Sequence, residues 1–163
     1  MSELAIDAKG LSRNFGDVKA IQSLDLQVET GSIYGFLGPN GCGKTTTIRL
    51  MTGLLKPSDG KVSVLGYSLP KESEALRFNI GYMTQKFSLY DDLTVKENLN
   101  FLADIYGIDV RSKTRRVEEL IDTYGLVNKT NQLSSTMSGG QRQRLSLAGA
   151  LIHKPKLLFL DEP

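Results

Sequence analysis

The first third of the chain has the alternating hydrophobic pattern of β-strands. Leu24, Leu26 and Val28 are separated by polar residues, and Gly31 ends the run. The apolar segment 32–37 that follows predicts a short buried strand. Further strands are predicted where short apolar runs are bounded by turn residues, at 61–65, 80–83 and 157–160.

Other segments carry apolar residues at helical spacing. Helices are predicted at 46–55, after the capping-box sequence that begins at Thr94, at 111–124, and from Ser138 to about residue 152. Strands that alternate with helices indicate an α/β fold. The stretch from about 84 to 136 is mainly helical and is predicted to be an insert in this α/β body.

Composition and charge narrow the function classes. A chain of 163 residues with 20 Lys+Arg and 18 Asp+Glu has a formal charge of +2 and no basic block, so no nucleic-acid partner is expected. Cys42 is the sole cysteine, which excludes an internal disulfide and favours a reducing compartment. The chain has no apolar run of about 18 residues, and acidic residues within 1–7 argue against a signal peptide.

The strongest chemical motif is a glycine-rich loop between the predicted strand 32–37 and the helix that follows. It consists of Gly38, Pro39, Asn40, Gly41, Cys42, Gly43, Lys44 and Thr45, with Thr46 opening the helix. Glycines at this spacing let backbone N–H groups curl around phosphate oxygens at a helix N-terminus. Lys44 would reach the β- and γ-phosphates and the Thr45 hydroxyl would bind Mg²⁺. The alternative is a flexible glycine turn.

An acidic pair follows the last predicted strand. Asp161 and Glu162 stand at the carboxyl end of the apolar run 157–160, where open α/β sheets bind ligands. Behind a phosphate loop, Asp161 is expected to hold Mg²⁺ through its water shell, and Glu162 to orient or deprotonate an attacking water. A plain strand end is the alternative reading.

The segment Met137-Ser138-Gly139-Gly140-Gln141 distinguishes this chain from other phosphate-loop proteins. Here the sequence resembles the ATP-binding cassette (ABC) family, whose signature begins with Leu where this chain has Met137. Ser138 and the glycine N–H groups ahead of a helix would form a second anion cradle. In the family, this cradle contacts the γ-phosphate bound by the opposite subunit, so Ser138, Gly139, Gly140 and Gln141 are expected to contact nucleotide.

The resemblance covers the whole chain and implies further sites. Phe15 matches the aromatic residue that stacks on adenine, with a core or turn aromatic as the alternative. Gln85 matches a glutamine that touches Mg²⁺ and the water. Residues Phe87–Leu93 lie where the family docks its membrane permease, although ordinary packing would also explain their apolar character. His153 precedes the acidic pair and therefore does not match the family's switch histidine.

The resemblance implies a P-loop NTPase core of the ABC type, with an N-terminal antiparallel β portion and the helical insert, in one nucleotide-binding domain spanning 1–163. We expect its C-terminal part, with the switch histidine, beyond Pro163. The implied function is that of the ATP-hydrolysing subunit of a transporter, most similar to drug or polysaccharide exporters.

The implied subunit would bind ATP and Mg²⁺ and act as a head-to-tail dimer with a second cassette, as a homodimer or a paired cassette. It would lie in the cytoplasm on the inner face of the membrane, attached through its permease. There are two alternatives to a transporter subunit: the chain could be a fragment of a soluble tandem-cassette protein, or a nucleotide-binding module without turnover.

Overall fold

The computed structural model describes residues 3–39, 41–85 and 89–161, and the chain divides into two units, residues 1–80 and 81–163. The first unit is built on a four-stranded sheet in the order β2-β1-β3-β4. Its strands are β1 (Leu4–Phe15), β2 (Val18–Glu29), β3 (Asp59–Val64) and β4 (Tyr67–Leu69). All neighbouring pairs are antiparallel, which confirms the predicted antiparallel β portion.

The register of this sheet gathers apolar side chains into a core. Ala8 on the central strand β1 lies opposite Leu26 on β2 and Val62 on β3, and all three are buried. This pairing is what the alternation in the sequence requires, because every second side chain of a strand points to the same face.

Two helices complete the first unit, α1 (Lys44–Met51) and α2 (Ser73–Arg77). The predicted helix 46–55 thus starts two residues earlier and ends four residues earlier than expected. Thr52 caps its C-terminus and Gly53 follows with φ 72°, in the left-handed region where helices commonly end. A Cβ on Gly53 would also lie 2.6 Å from the Ser73 side chain, so the chain must turn there.

The prediction of a buried strand at 32–37 is wrong. This segment forms no strand, and its Ile33 and Leu37 side chains are 102% and 97% exposed. A strand needs a hydrogen-bonded neighbour. Among the described residues no strand is paired with 32–37, so the apolar run has neither a ladder nor a covering layer.

The second unit joins a two-stranded sheet to three helices. The strands are β5 (Ile80–Met83) and β6 (Leu157–Leu160), and the helices are α3 (Val95–Ile105), α4 (Val110–Thr123) and α5 (Gly139–Ala150). A Cβ on Gly81 would lie 2.4 Å from the Ala150 carbonyl oxygen, so β5 can approach the end of α5 this closely only because residue 81 is glycine. β6 is less buried than predicted, since Leu160 is exposed.

The three helices share one apolar core. Its most deeply buried members come from all three helices and from the segments that follow α4 and α5: Val95, Leu99, Ala103, Val117, Leu120, Leu126, Leu145, Ala148 and Ile152. The capping box predicted at Thr94 is present, with the Thr94 side chain and Glu97 exchanging hydrogen bonds. In the described part of the chain, no helix is both long and apolar enough to cross a bilayer.

Candidate functional site

The glycine-rich loop enters α1 through a backbone that demands glycine. Gly43 is the N-cap residue, with φ 95°, and a Cβ there would lie 2.5 Å from Cδ1 of Ile21 and 3.0 Å from the Ala20 carbonyl oxygen. Gly41 also has a positive φ, of 84°. The loop therefore packs against β2 at a point where only glycine fits, and this fixes its position over the start of α1.

The first turn of α1 is arranged to receive an anion. No side chain caps it, and it contains no acidic residue. The Lys44 ammonium folds back over the loop and donates to the carbonyl oxygens of Gly38 at 2.7 Å and Pro39 at 3.0 Å. N-terminal N–H groups and a cation thus stand together without a neutralising carboxylate in this turn, which fits the phosphates of a nucleotide.

The remaining loop residues agree with this arrangement. Thr45 and Thr46 are half-buried in the first turn, and Cys42 is exposed. Gly38 lies close to Cys42, because a Cβ on the glycine would come within 2.7 Å of the Cys42 sulfur. Asn40 lies outside the described residues.

Phe15 is presented at the end of β1. Its side chain is 46% exposed, and the guanidinium carbon of Arg13 lies 4.6 Å from the ring centroid. Arg13 also donates through Nη1 to the Lys56 carbonyl at 2.9 Å, which holds the guanidinium in place. An aromatic ring that is half-exposed and braced by a cation suits stacking on a nucleobase. Arg13 was missed in the sequence, although it lies two positions before Phe15 and alternate side chains of a strand point to the same face.

The two strands of the second unit carry the other polar candidates at their ends. Asp161 follows β6, is 3% exposed, and its backbone N–H donates to the Met83 carbonyl of β5 at 3.0 Å. The Tyr82 hydroxyl donates to Asp161 Oδ2 at 3.5 Å. Gln85 is exposed and lies two residues after β5, the strand that neighbours β6. No sequence pattern pointed to Tyr82, since 79 positions separate it from Asp161. Glu162 lies outside the described residues.

The signature segment forms the N-terminus of α5. Ser138 is the N-cap, its side chain accepts from the Gln141 N–H, and the Gln141 side chain accepts from the Ser138 N–H at 2.9 Å. This capping box holds the first turn in a fixed geometry. Gly139 and Gly140 are exposed and have no positive φ, and no atom of the described residues would lie within 4 Å of an added Cβ.

The predicted residues fall into three local groups. The loop around Lys44 and the Phe15 ring belong to the first unit, whereas the pair of strand ends at Gln85 and Asp161 and the turn at Ser138 belong to the second. Within the described ranges, no group of three or more His, Cys, Asp or Glu side chains could hold a metal by itself. Mg²⁺ ordinarily needs only one or two carboxylates when a substrate supplies phosphate oxygens, and the buried carboxylate of Asp161 is one group of that kind.

The predicted docking segment is described only from Leu89 onward. Leu89 packs against the helical core, which agrees with the alternative that the apolar residues of this segment serve ordinary packing. Tyr90, Asp91 and Asp92 are exposed. Phe87 and Ser88 lie outside the described residues.

Comparison with known proteins agrees with these motifs. The sequence profile of the family described as ABC transporter matches residues 21–163. The chain is 43% identical over 161 residues to the probable multidrug ABC transporter ATP-binding protein YbhF of Escherichia coli strain K12, covering 99% of this chain and 28% of that protein. It is 38% identical over 163 residues to the daunorubicin resistance ATP-binding protein DrrA3 of Streptomyces coeruleorubidus, covering 100% of this chain and 52% of that protein.

Solved structures show the same fold. The structure of cbiO1 from Clostridium perfringens, part of the ABC transporter complex cbiONQ, superposes with a TM-score of 0.87 at 27% identity, over 99% of this chain and 66% of that one. Of the two curated relatives, the chain spans about a quarter of YbhF and about half of DrrA3.

Proposed function

The chain belongs to the ABC transporter family, and we propose that it is the nucleotide-binding part of an ATPase subunit that drives export through a membrane permease. In this proposal ATP is held by the phosphate loop, and the signature of a second cassette completes its site. Two cassettes then associate head to tail when both have bound ATP.

The observation that carries this proposal is the pair of glycines in the signature turn. Glycine lowers helix stability by roughly 0.5–1 kcal/mol relative to alanine. At Gly139 and Gly140 neither backbone conformation nor crowding by the described residues demands it. Their use is therefore better explained by an external group that approaches the backbone closely, and the N-terminus of α5 attracts an anion. A nucleotide phosphate held by another subunit has that chemistry.

Within one subunit, the phosphate loop supplies the main binding groups. Lys44 would exchange its contacts with Gly38 and Pro39 for phosphate oxygens, and the N–H groups of the loop and α1 would surround the same anion. Phe15 would stack on the base. This assigns binding and orientation of the nucleotide to residues of the first unit.

The hydrolytic residues are assigned to the second unit. Mg²⁺, when bound, would neutralise charge on the phosphates, and within the second unit Gln85 and Asp161 are the donors that we propose for it or its water shell. The Asp161 carboxylate is buried, and its Oδ2 lies 3.5 Å from the Tyr82 hydroxyl. Glu162 is proposed to accept the proton of the attacking water.

The proposed substrate class and partner rest on the relatives. Their names describe drug resistance and multidrug transport, which supports export of amphipathic compounds. The partner would be a permease that contacts residues 87–93, and the subunit would lie on the cytoplasmic face of the membrane through that permease.

The test compares Glu162→Gln with Lys44→Ala in the complete subunit. Glu162→Gln should keep ATP binding, lose hydrolysis and accumulate as an ATP-bound dimer, because the amide preserves shape but cannot take the proton. Lys44→Ala should fail to bind ATP and stay monomeric. Sizing with and without MgATP, beside phosphate release, separates the two. Normal turnover in either variant would overturn the proposed site.

A further inference from the structure

One face of the Phe15 ring is occupied by a side chain of the same strand. The guanidinium carbon of Arg13 lies over the ring, 4.6 Å from its centroid, while the Phe15 side chain as a whole is 46% exposed. An aromatic ring offers two faces for stacking, and the guanidinium covers one of them. A base can therefore stack only on the face of Phe15 that Arg13 leaves open.

A second contact holds the Arg13 guanidinium in this place. Its Nη1 donates to the Lys56 carbonyl at 2.9 Å, in the segment that follows α1 and 43 positions along the chain. That segment is itself fastened to β1. The Ser58 N–H donates to the Ser12 carbonyl at 2.8 Å, and the Ser58 hydroxyl accepts from the Asn14 N–H at 3.0 Å. The guanidinium thus has a fixed acceptor on one side and the aromatic ring on the other.

Part of the guanidinium is also withdrawn from water. Arg13 is half-buried, and its Nε is buried with no hydrogen-bond partner among the described residues. The attraction between a cation and an aromatic face is stronger when the cation has lost water. The contact therefore opposes rotation of the Phe15 side chain, whose exposure would otherwise leave the ring free to turn.

The strand position of Arg13 connects the ring to the phosphate loop. Arg13 pairs with Ile21 of β2 across the sheet. Ile21 is also the residue against which Gly43 is seated, since a Cβ on Gly43 would lie 2.5 Å from the Ile21 Cδ1. The loop and the ring are thus supported by neighbouring parts of the same two strands, all within the first unit.

We propose that Arg13 is a positioning residue for the base of the nucleotide. It holds the Phe15 ring, before a nucleotide arrives, in the orientation that receives the base, and so removes the cost of ordering the ring during binding. This inference rests on the proposed function, in which Phe15 stacks on the base. It assigns to Arg13 a contribution to affinity that depends on the base and is independent of the phosphates.

The test compares MgATP with magnesium tripolyphosphate, a probe that lacks the base, in calorimetric titrations of the complete subunit. Arg13→Gln should raise the Kd for ATP about two- to twelvefold, which corresponds to about 0.5–1.5 kcal/mol for ordering one side chain on binding. The Kd for tripolyphosphate should not change. In the ATPase assay, KM should rise by the same factor while kcat stays near its wild-type value, because the base is held equally in the ground state and the transition state.

Three variants separate positioning from charge and from folding. Lys9→Gln also removes one positive charge from β1, at an exposed side chain whose ammonium lies 3.6 Å from Asp7, and should leave both affinities unchanged. Arg13→Lys keeps a cation but lacks the planar guanidinium, so its ATP affinity should lie between those of the wild type and Arg13→Gln. Arg13→Gln combined with Phe15→Ala should lose no more ATP affinity than Phe15→Ala alone.

The outcomes distinguish this inference from the proposed function. Equal weakening of ATP and tripolyphosphate in both Arg13 variants would overturn the inference, because the arginine would then act on the phosphates or on the fold. Unchanged ATP affinity in Arg13→Gln, beside weakened affinity in Phe15→Ala, would overturn the inference alone. Unchanged ATP affinity in Phe15→Ala would exclude base stacking from the proposed function and this inference with it.

Discussion

Replacing Gly140 by alanine should separate the stability of the protein from its activity. The added Cβ meets no atom of the residues that the structure describes within 4 Å, and the backbone is helical, so neither strain nor a clash with them opposes the change. What remains is the helix preference of alanine over glycine, about 0.5–1 kcal/mol. In a protein of this size that raises the Tm by roughly 1–4 °C.

The same methyl group should damage turnover. It would stand between the N-terminal N–H groups of α5 and an approaching phosphate, and losing one hydrogen bond to a charged group corresponds to about 1.5–3 kcal/mol, or roughly ten- to a hundredfold. Urea unfolding and phosphate release of the complete subunit measure the two effects. Thr114→Ala, on an exposed position of α4, is the control that should gain stability without losing activity. Full turnover in Gly140→Ala would refute the placement of a phosphate at this turn.

Three further predictions concern other groups. MgATP should slow maleimide labelling of exposed Cys42, since the nucleotide would cover the loop; equal rates would contradict a phosphate site there. Phe15→Ala should weaken ATP and GTP binding alike by about 1–3 kcal/mol in a fluorescence titration, because stacking is indifferent to the base; an unchanged Kd would exclude stacking. Thr94→Ala should cost about 1 kcal/mol in urea unfolding. The Thr94 backbone N–H and hydroxyl both donate to the Glu97 carboxylate and lower the pKa of Glu97 below its ordinary 4.5. Only the hydroxyl bond to the carboxylate is lost in Thr94→Ala, so that part of the difference is complete above this value and should fade as the pH falls through the lowered pKa; a pH-independent difference would contradict it.

The sequence was informative where structure depends on neighbouring residues. The capping box from Thr94 to Glu97 and the glycines before Lys44 act within a few positions, so their spacing revealed them. The reciprocal capping by Ser138 and Gln141 follows the same local rule and could have been predicted from it.

Other features depend on residues that are distant in sequence. Segment 32–37 has the composition of a buried strand, but composition does not specify a hydrogen-bonded neighbour, and the structure provides none among the described residues. Arg116 lies in the predicted helix 111–124, and the sequence identifies no partner for it, yet it donates to the Leu151 and Ile152 carbonyls beyond α5 at 2.6 and 3.0 Å. The hydrogen bonds between the Asn98 side chain and the Tyr90 backbone likewise form only in the folded protein, so the sequence alone does not reveal them.

The two carbonyl contacts of Lys44 bear on how tightly a nucleotide is held. Because the ammonium already donates to Gly38 and Pro39, an arriving phosphate replaces existing hydrogen bonds, and only the difference between the two sets contributes to affinity. The same carbonyls can receive the ammonium again as a product departs, so the charge is never left without acceptors. An arrangement of this kind suits a protein that binds and releases nucleotide repeatedly, as the proposed ATPase would, better than a receptor that retains its ligand.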